Sequence, residues 1–187
     1  MKILLNPTDC RSIIYMYPEE GLMLDELDAI DRKLLSLLQQ DGRMSNADLA
    51  RTVRMAPSAV FERVRRLERD GVIRGYGAQL DPRALERALL AFILVRTDER
   101  TGENVAGGQL AALPEVLEVH HVAGQDSYLV KVRVKDPEAL GRLLRERFGA
   151  IPGVRSTMST IALETLKEHW SLPVEPLPVP EKERLRA

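Results

Sequence analysis

The spacing of apolar residues changes partway along this chain of 187 residues, and that change restricts the folds open to it. The first part carries apolar side chains three or four positions apart, whereas the second alternates helical spacing with short runs typical of strands. Gly75, Gly77 and Pro82 separate the two patterns. The predicted segments are an N-terminal extension (residues 1–24), a helical domain (25–74), a hinge (75–87), a mixed domain (88–166) and a C-terminal tail (167–187).

The helical domain begins with two segments that carry helix caps. DAIDRKLLSLLQQDG places Asp28 at the cap of the first helix and Gly42 at its end. SNADLARTV places Ser45 at the cap of the second helix, and Asp48 three positions later resembles a capping box. Both segments are therefore predicted to be helices.

A third helix is predicted over APSAVFERVRRLERD, with Pro57 at its first position, where the missing N–H needs no intrahelical partner. Val60, Val64 and Leu67 recur at helical spacing and are expected to form the buried stripe, and Gly71 ends the helix. A short RMAP link joins this helix to the preceding one. Two helices joined in this way are typical of the helix-turn-helix that places its second helix in DNA.

Positive charge is concentrated around this third helix although the formal net charge of the chain is −1. Between Arg43 and Arg74 there are eight arginines and four acidic residues, an excess of four positive charges. An arginine-rich helix is commonly a solvated face, but the capped helix before it and the short link favour double-stranded DNA as its partner. The expected DNA contacts are Ser58, Glu62, Arg65, Arg66 and Arg69 on the outward face and Arg63 on the flank.

The mixed domain has the order strand, helix, strand, strand, helix, strand, which is the ferredoxin-like βαββαβ plan. The predicted strands are LLAFILVRT, EVLEVHHVA, SYLVKVRV and GVRSTMSTIAL, and the predicted helices are ENVAGGQLAALP and DPEALGRLLRERFG. Adjacent glycines at 107 and 108 weaken the first of these helices. The fold class is therefore α+β, with a helix-turn-helix domain followed by a ferredoxin-like domain.

The sequence resembles the Lrp/AsnC family of leucine-responsive, feast/famine regulators over about residues 24–166. The matching stretches are LDAIDRKLLSLLQQDGRMSNADLARTVRMAPSAVFERVRRLERDGVIRGYGAQLDP, VAGQDSYLVKV and IPGVRSTMSTIAL. The resemblance implies a winged helix-turn-helix and a ferredoxin-like domain that dimerises through its sheets, with further assembly into octamers. It also implies a small effector, usually an amino acid, bound between subunits near the turn that joins the second and third strands.

The effector-binding residues implied by this resemblance lie in that turn and in the last strand. A zwitterion needs acceptors for its ammonium group and donors for its carboxylate, which carboxylates, hydroxyls and backbone N–H groups supply. The same residues also suit an ordinary hairpin turn and strand. Two positions depart from the family pattern, since Ala56 and Ser127 stand where relatives commonly have serine and aspartate. The expected effector-binding residues are Gly124, Gln125, Asp126, Ser127, Thr157, Ser159 and Thr160.

Two other functions were weighed against a DNA-binding regulator. Certain haem-biosynthesis decarboxylases are similar to this family and use histidines, but neighbouring strand residues such as His120 and His121 face opposite ways. A ligand-binding or architectural protein would not need the local positive charge. The chain is therefore predicted not to be an enzyme, and to need no cofactor and no metal. Its longest apolar run has eight residues, too short to span a membrane, and we expect a cytoplasmic protein.

Overall fold

The structure is a computed structural model that describes residues 27–100, 103–124 and 127–174. The N-terminal extension predicted over 1–24 therefore lies outside the described residues. The described residues fall into two compact units, one of residues 80–166 and one of residues 27–79 together with 167–174. No helix within these residues is long and apolar enough to cross a membrane. The helices and strands are α1 (Ala29–Gln40), α2 (Asn46–Val53), α3 (Pro57–Arg69), β1 (Leu89–Thr97), α4 (Val105–Ala111), β2 (Val116–His121), β3 (Tyr128–Val134), α5 (Pro137–Arg142), a π-helical segment (Leu143–Phe148) and β4 (Val154–Ile161).

The three helices of the first unit form where the sequence predicted them. The Asp28 carboxylate accepts a hydrogen bond from the Asp31 N–H (2.8 Å), and the Asp31 carboxylate accepts one from the Asp28 N–H (3.4 Å), which makes a complete capping box. The Ser45 hydroxyl accepts from the Asp48 N–H at 3.2 Å. Gly71 adopts a left-handed φ of +72° after α3, as its role at the helix end requires.

The end of α1 differs from the prediction. Asp41, rather than Gly42, occupies the C-cap, and its backbone is extended instead of left-handed. Gly42 does not terminate the helix by a positive φ. A Cβ atom at Gly42 would lie 3.3 Å from the Tyr76 ring, so the glycine allows that ring to approach the chain. The approach of the Tyr76 ring to Gly42, 34 positions earlier, cannot be predicted from the spacing of neighbouring residues.

The second unit is a four-stranded antiparallel sheet with the order β2-β3-β1-β4. This order and the two helical crossovers confirm the predicted ferredoxin-like plan. Ile93 pairs with Val130, and Ala91 pairs with Val132. These side chains lie on one face of the sheet, where α4, α5 and the π-helical segment cover them and form a single core. None of the described helices of this unit packs on the opposite face of the sheet.

Helix α4 is shorter than predicted, and Gly107 explains how it reaches the sheet. A Cβ atom at this position would lie 2.6 Å from Cε1 of Tyr128, closer than non-bonded carbon atoms approach. Both Gly107 and Tyr128 are buried. The glycine that weakens the helix in the sequence therefore lets the helix backbone pack directly on an aromatic ring of β3.

Part of the C-terminal tail is joined to the helical unit. The Gln39 side-chain amide on α1 donates a hydrogen bond to the Leu172 carbonyl oxygen (2.9 Å) and accepts one from the Leu172 N–H (2.6 Å). This two-point contact resembles one step of strand pairing, with a side-chain amide in place of a peptide. Leu172, in the predicted tail, is therefore held to α1.

Candidate nucleic-acid interface and effector site

The outward face of α3 is the candidate DNA-contacting surface. Its inner face is buried through Val60, Val64 and Leu67. The side chains on the opposite face remain exposed to solvent, which is what a helix needs if it is to enter a DNA groove. The exposed members of the predicted set are Ser58, Glu62, Arg65 and Arg69.

Two arginines of the predicted set instead face α1 and its cap. Arg63 Nη1 lies 2.6 Å from Asp28 Oδ2 and 2.9 Å from Asp31 Oδ1. Arg66 Nη2 lies 2.5 Å from Asp31 Oδ2. Asp31 is fully buried, so each of its oxygens is matched by one arginine of α3. The carboxylate therefore ties α3 to α1 through two charge-assisted hydrogen bonds.

The pKa values of Asp28 and Arg63 reflect the ion pair between α1 and α3. Burial alone would raise the pKa of Asp28, but the hydrogen bond from Asp31 N–H and the contact with Arg63 outweigh it and lower the pKa. The pKa of Arg63 is raised, first by its hydrogen bond to Asp31 and then by Asp28. The lowered pKa of Asp28 and the raised pKa of Arg63 both favour the charged forms of this ion pair.

The ion pairs of the α3 arginines show which of the predicted DNA contacts lie on the outward face of the helix and which lie at its flank. The sequence assigned Arg66 to the outward face, whereas the structure places its guanidinium at the flank, on Asp31. The flank position expected for Arg63 agrees with the structure. Arg69 stays outside and pairs only with its neighbour Asp70, at 3.0 Å. A position at the flank suits a phosphate contact better than a contact to a base edge.

Arg65 differs from these residues because it has no partner within the described part of the chain. Glu68, three positions later on α3, is held instead by Tyr76, whose hydroxyl donates a hydrogen bond to Glu68 Oε1 at 2.9 Å. Burial and this carboxylate raise the pKa of Tyr76 to about 12. These side chains line a cavity of about 390 Å³ beside α3. Glu68 is therefore bonded to Tyr76 and not to the Arg65 guanidinium.

The turn between α2 and α3 contains two features that bear on the interface. Arg54 occupies the C-cap of α2 with a left-handed φ of +56°, which is uncommon for a residue with a side chain. Ala56, at the N-cap of α3, makes no side-chain hydrogen bond to the helix. Pro57 has no N–H and the Ala59 N–H donates to the Ala56 carbonyl at 3.0 Å, so the Ser58 N–H is the donor in the first turn of α3 that a side-chain cap would otherwise have satisfied.

The predicted effector-binding turn lies at the end of the sheet where β1 stops and β4 starts. Gln125 and Asp126 lie outside the described residues, and Gly124 adopts a φ of +146°. The Ser127 N–H donates to the Val95 carbonyl at 2.9 Å, and its hydroxyl oxygen accepts a bond from the Thr97 hydroxyl, also at 2.9 Å. Ser127 is therefore fixed to β1 by its backbone and its side chain.

The three predicted residues of β4 do not all lie on the same face. Thr157 pairs with Val95 and Ser159 with Ile93, which puts both on the helix-side face of the sheet. Thr160 pairs with Phe92 and points to the opposite face. Strand residues alternate, so the structure brings Thr157 near the Ser127 end, leaves Ser159 one repeat farther along, and separates Thr160 from both.

A polar network that the sequence did not reveal joins this end of the sheet to α4. Glu99 Oε1 accepts a hydrogen bond from the Ala106 N–H (2.7 Å), and Oε2 accepts one from the Tyr128 hydroxyl (2.9 Å). Burial opposes ionisation of Glu99, but these hydrogen bonds prevail and lower its pKa. Burial, and then Glu99, raises the pKa of Tyr128 to about 12. No local spacing links Glu99 to these partners.

Comparison with known proteins assigns both units. Residues 27–74 match the family described as winged helix-turn-helix DNA-binding, and residues 90–172 match the Lrp/AsnC ligand binding domain. The chain is 42% identical over 146 residues to the leucine-responsive regulatory protein of Salmonella typhimurium, covering 76% of this chain and 88% of that protein. It is 39% identical over 149 residues to the HTH-type transcriptional regulator FL11 of Pyrococcus horikoshii, covering 80% of this chain and 97% of that protein.

A solved structure gives the same result for the fold. The chain is similar to a transcriptional regulator from Neisseria meningitidis that was crystallised in complex with L-Met, with a TM-score of 0.71 and 32% sequence identity. The match covers 81% of this chain and 99% of that one.

Proposed function

The chain belongs to the Lrp/AsnC family of transcription regulators, and on that premise we propose that α3 contacts DNA bases and that an amino acid bound near the β2–β3 turn controls this contact. The observation that carries the DNA assignment is that the arginines of α3 have different partners. Arg63 and Arg66 hold the helix on α1, which leaves the unpaired Arg65 to reach outward.

In this proposal Arg65 donates to a base edge in the major groove, with guanine O6 and N7 as the best matched acceptors. Ser58 and Glu62 lie on the first turns of α3, the part of such helices that commonly reaches the bases. Arg69 and the flank arginines contact phosphates, which position the protein without selecting a sequence. Because DNA binding of this kind requires access to the chromosome, we place the protein in the cytoplasm.

For the effector, we propose an amino acid whose polar ends contact the β2–β3 turn and Thr157. Ser127 supports this assignment because Thr97 and Val95 hold it in place and its hydroxyl keeps a hydrogen to donate. Gln125 and Asp126 are kept in the proposed site, whereas Ser159 and Thr160 are assigned a secondary role because of their positions on β4. The related Neisseria regulator was crystallised with L-Met, which makes methionine the first compound to test.

One experiment tests both parts of this proposal. Binding to the DNA upstream of the protein's own gene is measured by fluorescence anisotropy, against a shuffled fragment of the same composition, with and without L-methionine or L-leucine. We expect preference for the upstream fragment, a steep fall in affinity with salt as counterions are released, and a shift in affinity when the amino acid is added. Equal affinity for both fragments would refute sequence-specific binding, and no response to any proteinogenic amino acid would refute the effector.

We also propose that the uncovered face of the sheet forms a homodimer, which an octamer would extend. Phe92 is 37% exposed and Met158 58% exposed, although both project from the middle of paired strands. Leu94 and Leu129 pair beside them and continue the same apolar surface. A contiguous apolar patch on a soluble protein commonly marks an interface, and a second copy would cover it.

Phe92→Asp is expected to convert the proposed dimer to a monomer, because it would place a charge at the centre of the apolar surface while Lys131, opposite it on β3, already pairs with Glu118 at 2.9 Å. Sedimentation velocity measures the change, and circular dichroism checks that the sheet still forms. Leu163→Asp is the matched control, since Leu163 is fully exposed and lies beyond β4. If the Phe92 variant sediments like the unmodified protein, the dimer does not use this face.

We propose no catalytic role for the two adjacent histidines. His120 Nε2 lies 3.3 Å from Glu118 Oε2 on one side of β2, whereas the His121 ring packs on Tyr128 with centroids 5.1 Å apart. The two imidazoles therefore contact different groups on β2 and β3. This arrangement does not favour a decarboxylase activity in which both histidines act on one tetrapyrrole. A spectral change on mixing the protein with a sirohaem derivative would reverse this conclusion.

A further inference from the structure

A second pocket lies at the end of the sheet opposite the β2–β3 turn. Its volume is about 450 Å³, within the range of sites that hold small molecules. The strand β3 separates the two ends, with Tyr128 at the turn and Val134 in the pocket, a length of roughly 20 Å at the rise of an extended strand. Val134 and Leu143 are buried and form the apolar floor of this pocket.

An unsatisfied carboxylate oxygen lies in this pocket. Glu115 Oε2 is buried and has no hydrogen-bond partner among the described residues. The backbone cannot move aside easily, because the Glu115 carbonyl accepts a hydrogen bond from the Arg133 N–H at 3.1 Å. Buried carboxylate oxygens are almost always bonded to a donor, since they lose their hydration without replacement otherwise. The pocket therefore needs a donor that the described residues do not supply.

Two arginines among the residues that line the same pocket have no ion-pair partner within the described part of the chain, although Glu146 also lines it. Lys135 is paired with Glu86 (3.1 Å) and Arg142 with Glu138 (2.6 Å). The Arg147 side chain has neither a hydrogen bond nor an ion pair within the described part of the chain. The Arg87 guanidinium makes only a long hydrogen bond among the described residues, of 3.5 Å, to the Arg133 carbonyl. Two guanidinium groups are therefore available for an anionic group at the mouth of the pocket.

The backbone around the pocket departs from regular geometry in two places. Leu143–Phe148 forms a π-helical segment, a rare arrangement that recurs at functional sites, and it contributes Leu143 and Arg147 to the lining. Glu86, on the rim, has a left-handed φ of +53° although it carries a side chain. Both departures are costly, and such costs are commonly retained where a ligand binds.

We propose that this pocket binds a zwitterionic small molecule with an apolar body, for which an aliphatic amino acid is the fitting class. The ammonium group donates to Glu115 Oε2, the carboxylate contacts Arg87 and Arg147, and the aliphatic part rests on Val134 and Leu143. This site is separate from the β2–β3 turn, so it does not depend on the effector site proposed there. It also touches residues 85–87, the chain that leads into β1, so occupancy would restrain that segment.

The test is a titration of the full-length protein, labelled with ¹⁵N throughout and with ¹³C at leucine and valine methyl groups, followed by NMR of the backbone amides and the methyl groups. The probes are L-leucine, 3-methylbutylamine, which lacks the carboxylate, and 4-methylpentanoate, which lacks the amine. We expect L-leucine to shift the methyl signals of Val134 and Leu143, and each single-charge probe to bind at least about tenfold more weakly, the loss that follows from one charge-assisted contact.

Glu115→Gln tests the ammonium contact, and Arg147→Gln tests the carboxylate contact should the first variant be unstable. Either change is expected to weaken the leucine-dependent shifts at Val134 and Leu143 at least about tenfold. The matched control is Glu164→Gln, an exposed carboxylate outside the pocket, which is expected to leave them unchanged.

The outcomes separate this proposal from the effector site at the turn. Shifts confined to the backbone amides of Thr97 and Ser127 would overturn the second site and leave the turn assignment intact. Shifts confined to Val134 and Leu143 would support the second site and count against the turn. Absence of any shift at the pocket methyls with millimolar leucine, or equal binding of the amine and the zwitterion, would overturn the proposal.

Discussion

Replacing Asp31 with asparagine is expected to lower the free energy of unfolding of the helical unit by roughly 2–3 kcal/mol, because it leaves two arginines beside a buried neutral amide. Arg63 and Arg66 retain part of their surface in water, which reduces the effect below that of a fully buried pair. A domain of this size has only a few kcal/mol of stability, so the loss would unfold a measurable fraction at ambient temperature.

Urea unfolding followed by far-UV circular dichroism measures this change. Asp48→Asn is the matched control, since Asp48 forms an exposed ion pair with Arg51 at 3.1 Å, and its midpoint should stay close to that of the unmodified protein. Equal midpoints for the Asp31 variant and this control would show that the buried carboxylate contributes nothing.

A triple variant distinguishes the cost of leaving Arg63 and Arg66 without their carboxylate from the cost of losing the contact between α1 and α3. Asp31→Leu combined with Arg63→Met and Arg66→Met removes both signs of charge together and fills the same space with apolar atoms. Buried ion-pair networks replaced in this way are commonly as stable as the original or more so. We therefore expect the triple variant to unfold at a higher urea concentration than Asp31→Asn. A lower midpoint would indicate that Asp31 acts through the capping box alone.

Arg65→Ala is expected to abolish most sequence-specific DNA binding while leaving the fold intact. A bidentate arginine contact to guanine contributes about 1–3 kcal/mol of discrimination. The proposed dimer would present two copies of α3, so the specific affinity should fall by a factor between about 30 and 2 × 10⁴. Because Arg65 has no ion-pair partner within the described residues, its removal strands no buried charge, and the unfolding midpoint should not change.

Fluorescence anisotropy with the specific and the shuffled DNA fragments measures the ratio of the two affinities. The control is Arg83→Ala, which removes the same charge from an exposed position where Asp81 is the partner at 3.1 Å. The ratio should collapse toward one for the Arg65 variant and stay high for the control. If both variants keep the ratio of the unmodified protein, the outward face of α3 does not read the bases.

The helices and strands could be predicted because their signals are local. The stripe of Val60, Val64 and Leu67 fixed which side of α3 is buried, and the left-handed glycine at 71 fixed where it ends. The alternation in SYLVKVRV gave the two faces of β3. Caps, turns and periods extend over a few residues, so a single sequence carries them in full.

The contacts that decide the roles of the side chains were missed because they join distant positions. Asp31 falls on the same helical face as Leu34, so a charge on the apolar stripe was a visible signal that a partner was required. Its partners 32 and 35 residues away were not. The hydrogen bonds of Glu99 to Ala106 and Tyr128 carry no local pattern, and the same holds for the close approach of Gly107 to Tyr128.

The two hydrogen bonds between Gln39 and Leu172 have a consequence for synthesis of the protein. They join residues separated by 133 positions, so the helical unit is assembled from the two ends of the described chain. While the protein is being made, α1 to α3 leave the ribosome early, and the segment that bonds to Gln39 follows only after the entire sheet domain. The DNA-binding unit therefore reaches its final hydrogen-bonded state only after the ligand-binding unit has been synthesised.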